Sequence, residues 1–409
     1  MSLKRIPFLL IPVCMICAAG LFIACGKSSS GPKNAPTPSV LTAVASANEV
    51  ALSWTRCPDE DFFSYTLYRL TMDMFLSYVA GIAGDTLSAE KLGILTLPDV
   101  LSFNDYTLEQ TTAYYALRTT NAAGLSVWSN EEVVVLGGYI VAWGENDDGQ
   151  CDVSYPNNGF TAVAAGWDHS LGLRNDGSIA AWGGNEYGQC DVPSPNSGFT
   201  AVAAGNDHSL GLRSDGSIVA WGCDGDGQCD VPSPNSGFIA VSGGVDHSLG
   251  LRNDGSIVAW GCDGDGQCDV PSPNSGFTAV AGGFYHSLGL RTDGSIAAWG
   301  RNDSGQCDVP SPNSGFTAVA AGWGHSLGLR DDGSIAAWGW NEYGQCTVPS
   351  PNSGFIAVAA GSDHSLGLRS DGSIVAWGCN GDGQCDVPSP NSGFTAVAAG
   401  DGHGLGLKE

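Results

Sequence analysis

The sequence predicts an all-β chain, a seven-bladed β-propeller preceded by a small β-sandwich. Three observations carry this. A 39-residue unit recurs from residue 137 to residue 409, marked by Trp143, Trp182, Trp221, Trp260, Trp299, Trp338 and Trp377. Repeats of fixed length in this range build solenoids or propellers. Inside each unit two β-type runs, "HSLGLR" and "SIAAWG" in one copy, flank an Asp-Gly pair such as Asp176-Gly177, the strongest short-range hairpin signal. Ahead of the repeats, residues 40–136 carry short β-type runs and turn signals of a different kind, the pattern of a sandwich. A chain of 409 residues is also too long for one ordinary core.

The first element is a leader. "MSLKRIPFLLIPVCMICAAGLFIAC" places Lys4 and Arg5 ahead of an apolar run, the plan of a secretory signal over residues 1–24. Pro7, Pro12 and Gly20 interrupt the run and a polar tail follows it, which argues against a membrane-spanning helix. "FIAC" at Phe22 to Cys25 resembles a bacterial lipobox, with Phe22 where leucine is usual. The resemblance implies acylation of Cys25 and anchoring in the cell envelope, periplasmic or surface-exposed. Residues 25–39, with "GKSSSGPKNAPTPS", read as a lipidated cysteine and flexible tether.

The second element, residues 40–136, puts Trp54 in an early strand and Tyr65 and Leu67 in the next. Tyr115 and Leu117 lie in a late strand, and "NAAGLS" from Asn121 makes a hairpin. These segments resemble the fibronectin type III family, which implies a β-sandwich without catalytic residues, a spacer for the next domain.

The third element, residues 137–409, is 273 residues long, seven periods of 39. One copy reads as "GFTAVAAG", a first variable pair, "HSLGLR", the Asp-Gly turn, "SIAAWG", a second variable loop and "GQCDVP". That is three antiparallel runs and a short fourth, one propeller blade. The chain enters and leaves this repeat at the same point, the middle of a blade. Joining "GGYIVAWG" to the final "GFTAVAAGDGHGLGLK" therefore completes a seventh blade and removes two exposed strand edges. The pattern "HSLGL…DGSI.AWG.N..GQ" resembles the propellers of the regulator of chromosome condensation family. The short unit is similar to the secreted β-lactamase inhibitors of bacteria built on that fold. The resemblance implies the fold; it is weak for function, because one fold serves many partners.

Between copies two stretches change. The first precedes the histidine: Trp167-Asp168, Asn206-Asp207, Val245-Asp246, Phe284-Tyr285, Trp323-Gly324, Ser362-Asp363 and Asp401-Gly402. The second follows Trp-Gly and holds Tyr187, Arg301, Trp340 and Tyr343. In an antiparallel meander both lie at one end of the strands, so the disc acquires a face of exposed aromatic rings among acids, with Arg301 its one evident base. Such a face has the composition of an interface hot spot. Trp167, Asp168, Tyr187, Asp207, Asp246, Phe284, Tyr285, Trp323, Trp340 and Tyr343 are the candidate partner-binding residues. The inhibitor resemblance implies the same role for these loops.

Other constellations assign less. Forty-two acids against 16 bases, a net charge of −26, exclude a nucleic-acid partner, whose phosphates need lysine and arginine. The seven histidines recur once per blade and are held apart around a ring, so they read as structural and no metal site is assigned. "CDGDGQCD" echoes a calcium loop without the terminal glutamate. Serine, histidine and aspartate occur in every copy and mark no unique triad. Three blades pair an extra cysteine with the standing one six residues on; the pairs Cys223–Cys229, Cys262–Cys268 and Cys379–Cys385 are candidate disulfides in an oxidising compartment, with small-residue drift the alternative. Cys57 is given no role.

The reading is a monomeric, envelope-anchored, non-catalytic module without cofactor that binds a protein through its loop face. A carbohydrate partner is the alternative, since exposed rings also stack on sugars. A third reading, guanine-nucleotide exchange, follows from the chromatin branch of the family; the leader and the lack of an inserted wedge between blades count against it.

Overall fold

The computed structural model describes residues 138–408 throughout and, between 41 and 135, the backbone of seven strands. The leader, Cys25 and the tether lie outside the described residues.

The N-terminal strands form two antiparallel sheets. β1 (Leu41–Ser46), β2 (Glu49–Trp54) and β5 (Ser102–Asp105) make one in the order β1-β2-β5. β3 (Phe62–Leu70), β4 (Glu90–Leu95), β6 (Thr112–Asn121) and β7 (Ser126–Val135) make the other, ordered β4-β3-β6-β7.

From β8 (Tyr139–Gly144) onward the chain is a propeller. Blade 1 consists of β9 (Phe160–Ala165), β10 (His169–Arg174) and β11 (Ile179–Gly183), with β10 between the other two. Five further triplets, blades 2 to 6, span residues 199–222, 238–261, 277–300, 316–339 and 355–378. Inner strands of neighbouring blades touch around the axis. The Asp-Gly turn is a three-residue loop: Gly177 adopts φ 77°, its N–H donates to the Arg174 carbonyl at 3.0 Å, and Arg174 N–H donates to Ser178 O at 2.8 Å. This is a type I turn closed by a left-handed residue, where glycine is free of the Cβ penalty.

The core is divided among the joints between blades. Leu171, Leu173 and Ile179 of blade 1 pack on Phe199 and Trp221 of blade 2, all buried. Each such side chain contributes about 1.5–3 kcal/mol when removed from water. Blade 7 is made of β27 (Phe394–Ala399), β28 (His403–Lys408) and β8, with Leu405 paired to Ala142 and Leu407 to Ile140. Its two joints match the rest: Ile140, Leu405 and Leu407 meet Phe160 and Trp182 of blade 1, and Leu366, Leu368 and Ile374 meet Phe394 and Trp143. The ring is therefore closed by a split blade.

One expectation is corrected. Every propeller sheet has three strands, and "GQCDVP" forms turns between blades instead of a short fourth strand. Its backbone is used elsewhere: the carbonyl of buried Gln150 accepts from Trp182 Nε1 at 2.9 Å and from Ser170 Oγ at 2.9 Å, both in the following blade. Every blade's tryptophan is fixed to a glutamine carbonyl in this way.

The histidines are structural. All seven are buried, and six place Nε2 within 2.9–3.0 Å of a serine hydroxyl in the next blade, as His169 does on Ser209. The serine gives its proton to the glutamine carbonyl, so the imidazole must donate from Nε2, as the neutral Nε2–H tautomer does. Burial agrees, holding His208 down at about 3 and His169 at about 4.

Candidate functional site

The two variable loops of a blade are joined backbone to backbone. Gly184 N–H donates to Asp168 O at 2.7 Å, Arg301 N–H to Tyr285 O at 2.8 Å, Trp340 N–H to Gly324 O at 2.8 Å, and Glu145 N–H to Gly402 O at 2.9 Å. A second girdle runs from blade to blade: Trp167 N–H reaches Asn206 O (3.2 Å), Phe284 N–H reaches Gly322 O (3.1 Å) and Trp323 N–H reaches Ser362 O (3.4 Å). The side chains that vary are thus carried on a backbone that does not.

The first residue of each variable pair turns toward the axis. Trp167, Asn206, Val245, Phe284, Trp323, Ser362 and Asp401 together line a cavity of about 170 Å³ at one mouth of the central channel. Blades far apart in sequence meet there: the ring centroids of Trp167 and Phe284 are 6.4 Å apart, Phe284 and Trp323 5.3 Å, Phe284 and Tyr285 4.2 Å, Trp323 and Trp340 5.9 Å. These are tilted and edge-on geometries favoured by the ring quadrupoles. The expectation of seven exposed rings is corrected accordingly. Trp167, Phe284, Tyr285 and Trp340 are half-buried because the axis gathers them into one cluster. Tyr187 (55% exposed) and Tyr343 (54%) stand free on the rim, and Trp323 (36%) lies between these groups.

Two glycines make room for this arrangement. A Cβ on Gly324 would stand 3.1 Å from Trp340 Cβ, and one on Gly402 would meet the Glu145 side chain. In blades 5 and 7 a large residue in the second loop folds over a glycine in the first. The buried Nε1 of Trp340 has no hydrogen-bond partner among the described residues.

Around the rings stand carboxylates. Asp168, Asp207 and Asp246, the second residues of their pairs, are half-buried. Burial is the main cause that pushes Asp168 up to about 7, reinforced by Asp148, Glu145, Asp401 and Asp207. Burial likewise raises Asp207, Asp246, Asp363 and Asp401. Asp207 accepts from Asn206 Nδ2 at 2.6 Å. Arg301 is tied to Asp303 at 2.7 Å and lies 5.8 Å from the centre of the Tyr285 ring. The sequence reading passes over Glu145, Asp363 and Asp401 as site residues. Asp363 and Asp401 were visible as variable positions, but only the ring geometry shows Asp401 to be the acid of the cavity itself.

The cysteines hold the second loops. Each standing thiol lies 3.1–3.4 Å from the carbonyl six residues earlier, as Cys229 Sγ does on Cys223 O (3.2 Å), Cys268 on Cys262 O (3.4 Å) and Cys385 on Cys379 O (3.2 Å). Burial pushes Cys229 and Cys268 up to about 12 and Cys385 to about 11, so they carry a proton to donate. Cys223, Cys262, Cys379 and their neighbours are free thiols in this structure, and the three pairs are unbonded.

Comparison with known proteins agrees with the architecture. The Regulator of chromosome condensation (RCC1) repeat matches residues 160–189, 199–228, 238–267, 277–306, 316–345 and 355–384. No curated protein sequence matches significantly. Among solved structures, Prp20p from Saccharomyces cerevisiae superposes with a TM-score of 0.57 at 18% identity, over 67% of this chain and 92% of that one. Human WBSCR16 gives 0.55 at 17%, over 67% and 99%. At this identity the likeness shows the fold. With six matched repeats and a seventh blade closed from both ends of the same region, the propeller is one of the regulator of chromosome condensation repeat type.

Proposed function

We propose that this chain is a non-catalytic binding module of the bacterial cell envelope that recognises another protein through the channel-mouth face of its propeller. The observation that carries the reading is the aromatic cluster of Trp167, Phe284, Tyr285, Trp323 and Trp340, brought from three blades to one mouth. Rings on rigid loops lose little conformational entropy on binding, and such clusters form the energetic centres of interfaces. The repeat class is in keeping with a protein partner, since Prp20p is described with binding to Gsp1p and histones and was also solved bound to Kap60. The likeness of the short unit to bacterial β-lactamase inhibitors supports an enzyme as the partner bound.

The leader, the lipobox cysteine Cys25 and the tether support anchoring, with the seven-stranded segment as a fibronectin type III-like spacer. The test is affinity capture from envelope and secreted fractions on residues 26–409, beside a variant with Trp167, Tyr285, Trp323 and Trp340 changed to alanine. A protein held by the parent and lost by the variant is the expected result; capture of the same species by both would refute the face.

Carbohydrate binding is the second reading. Tyr187 and Tyr343 favour it, each more than half exposed on the rim, where a ring face can stack on a sugar. Glycan-array binding that is lost on changing both tyrosines to alanine, with no protein captured, would establish it.

A further inference from the structure

The cavity at the mouth is chemically lopsided. Trp167, Phe284 and Trp323 give it three aromatic walls, and Asp401 is its one charged lining residue. Asp401 is hydrogen-bonded to Ser362 and feels the charge of Asp382, and its own charge is felt by Glu145, Asp168 and Asp363. Among the described residues none of these carboxylates has a basic partner, and the one base on this face, Arg301, is committed to Asp303. At about 170 Å³ the space is smaller than the roughly 300–1,000 Å³ that holds a drug-sized molecule or cofactor. It suits a single long side chain.

We infer that the channel mouth seats one basic side chain, a lysine or arginine presented by the protein partner, with its cationic head against Asp401 and its stem among the rings of Trp167, Phe284 and Trp323. Three features fit this occupant. A cation is attracted to aromatic faces, more so where water is excluded. It also meets an acid that has no counter-charge, in a half-buried setting where Coulomb attraction exceeds its value in water. Its methylene stem covers apolar surface that a bare metal ion or small anion would leave wet. The inference rests on the protein-binding reading and names the chemistry at the centre of that interface.

The experiment titrates the full chain with N-acetyl-arginine amide and N-acetyl-lysine amide, followed by tryptophan fluorescence, with N-acetyl-citrulline amide as the neutral isostere. Saturable binding of at least one cation, at least tenfold tighter than citrulline, is expected. Asp401→Asn should weaken the cation at least tenfold. Asp254→Asn, in a turn at the opposite end of the strands, should leave it unchanged, and both variants should melt near the parent. No saturable response to either cation, an equal response to citrulline, or parental binding by Asp401→Asn overturns the inference. The two readings fail separately. If a captured partner binds Asp401→Asn at parental affinity, the seat for a basic side chain is wrong and the protein-binding face stands. If the cations bind as stated while no protein is captured, the seat stands and the protein-binding reading fails.

Discussion

Trp340 lies over Gly324, so close that a Cβ on the glycine would come within 3.1 Å of its own. The two variable loops of blade 5 are therefore matched to each other. Gly324→Ala should tilt Trp340 away from Trp323, change the tryptophan emission spectrum and weaken partner binding, at a cost in stability of about 1 kcal/mol. Alanine at the equivalent of an aspartate in other blades puts no strain on the backbone. An unchanged spectrum would show that the pair is not mechanically coupled.

Trp340→Phe separates ring from indole nitrogen. The buried Nε1 is unpartnered among the described residues, so its removal costs no hydrogen bond there and relieves a desolvated donor, worth about 1 kcal/mol. The phenylalanine variant should melt at or slightly above the parent temperature, whereas Trp340→Ala should melt lower. Partner affinity should follow the ring: kept in the first, lost in the second.

The histidine ring has one gap. Among the described residues His364 Nε2 is buried without a partner, and the residue after His403 is Gly404 where the other copies have serine. Gly404→Ser should supply the missing acceptor once Trp143, 2.6 Å from the added Cβ, moves aside. Thermal unfolding should show a gain of about 1 kcal/mol. His325→Ala, which breaks an intact joint at Ser365, should cost about 2 kcal/mol. A lower melting temperature for Gly404→Ser would mean that Trp143 cannot yield.

Acid should unfold the propeller steeply. The histidines lie at about 3–4 in the fold against 6.5 for the free side chain. Their contribution is complete above pH 6.5 and is lost as pH falls toward 4, each site costing about 1.4 kcal/mol per pH unit. Asp168 runs the other way. Raised from 3.8 to about 7, it contributes most at low pH and loses that contribution as pH rises through 7. Glu145, Asp207, Asp246, Asp363 and Asp401 are raised in the same direction as Asp168, but these carboxylates are part-exposed while all seven histidines are buried, so the melting temperature should fall from pH 6.5 to pH 4.5. Asp168→Asn should stabilise at pH 8 by about 1 kcal/mol, after allowance for solvent screening.

The joints that close the ring should be energetically ordinary. Leu405→Ala, at the joint of the split blade, should cost the same as Leu327→Ala at an internal joint, about 2–5 kcal/mol in each case. A much smaller loss for Leu405 in chemical denaturation would show that the ring stands open there.

Most of the fold was legible because it is written seven times. Each constant word has one structural partner: His169 with Ser209, Trp182 with Gln150, Leu171 with Phe199. Alternation and Asp-Gly turns are local signals, and the split copy showed where the ends meet. The missing fourth strand was not legible, since "GQCDVP" gives its glutamine carbonyl to side chains of another blade. Nor was the site's inner structure. Trp167 and Phe284 are three repeats apart in sequence and 6.4 Å apart across the axis. Periodicity says that such residues share a face; only the closed circle makes them neighbours. Asp401 was hidden for the same reason, one acid among many until the channel gave it an inside.

The split blade also fixes an order of events. β8 is synthesised at the start of the propeller, but its ladder partner β28 emerges only when nearly all the rest has been made. Until then the ring is an open arc with an exposed strand edge at each end, the condition most prone to pairing with another chain. A nascent propeller of this kind has to be kept apart from its neighbours until its last strand arrives. Closure is then the final step of folding, and the channel mouth with its aromatic cluster does not exist before it.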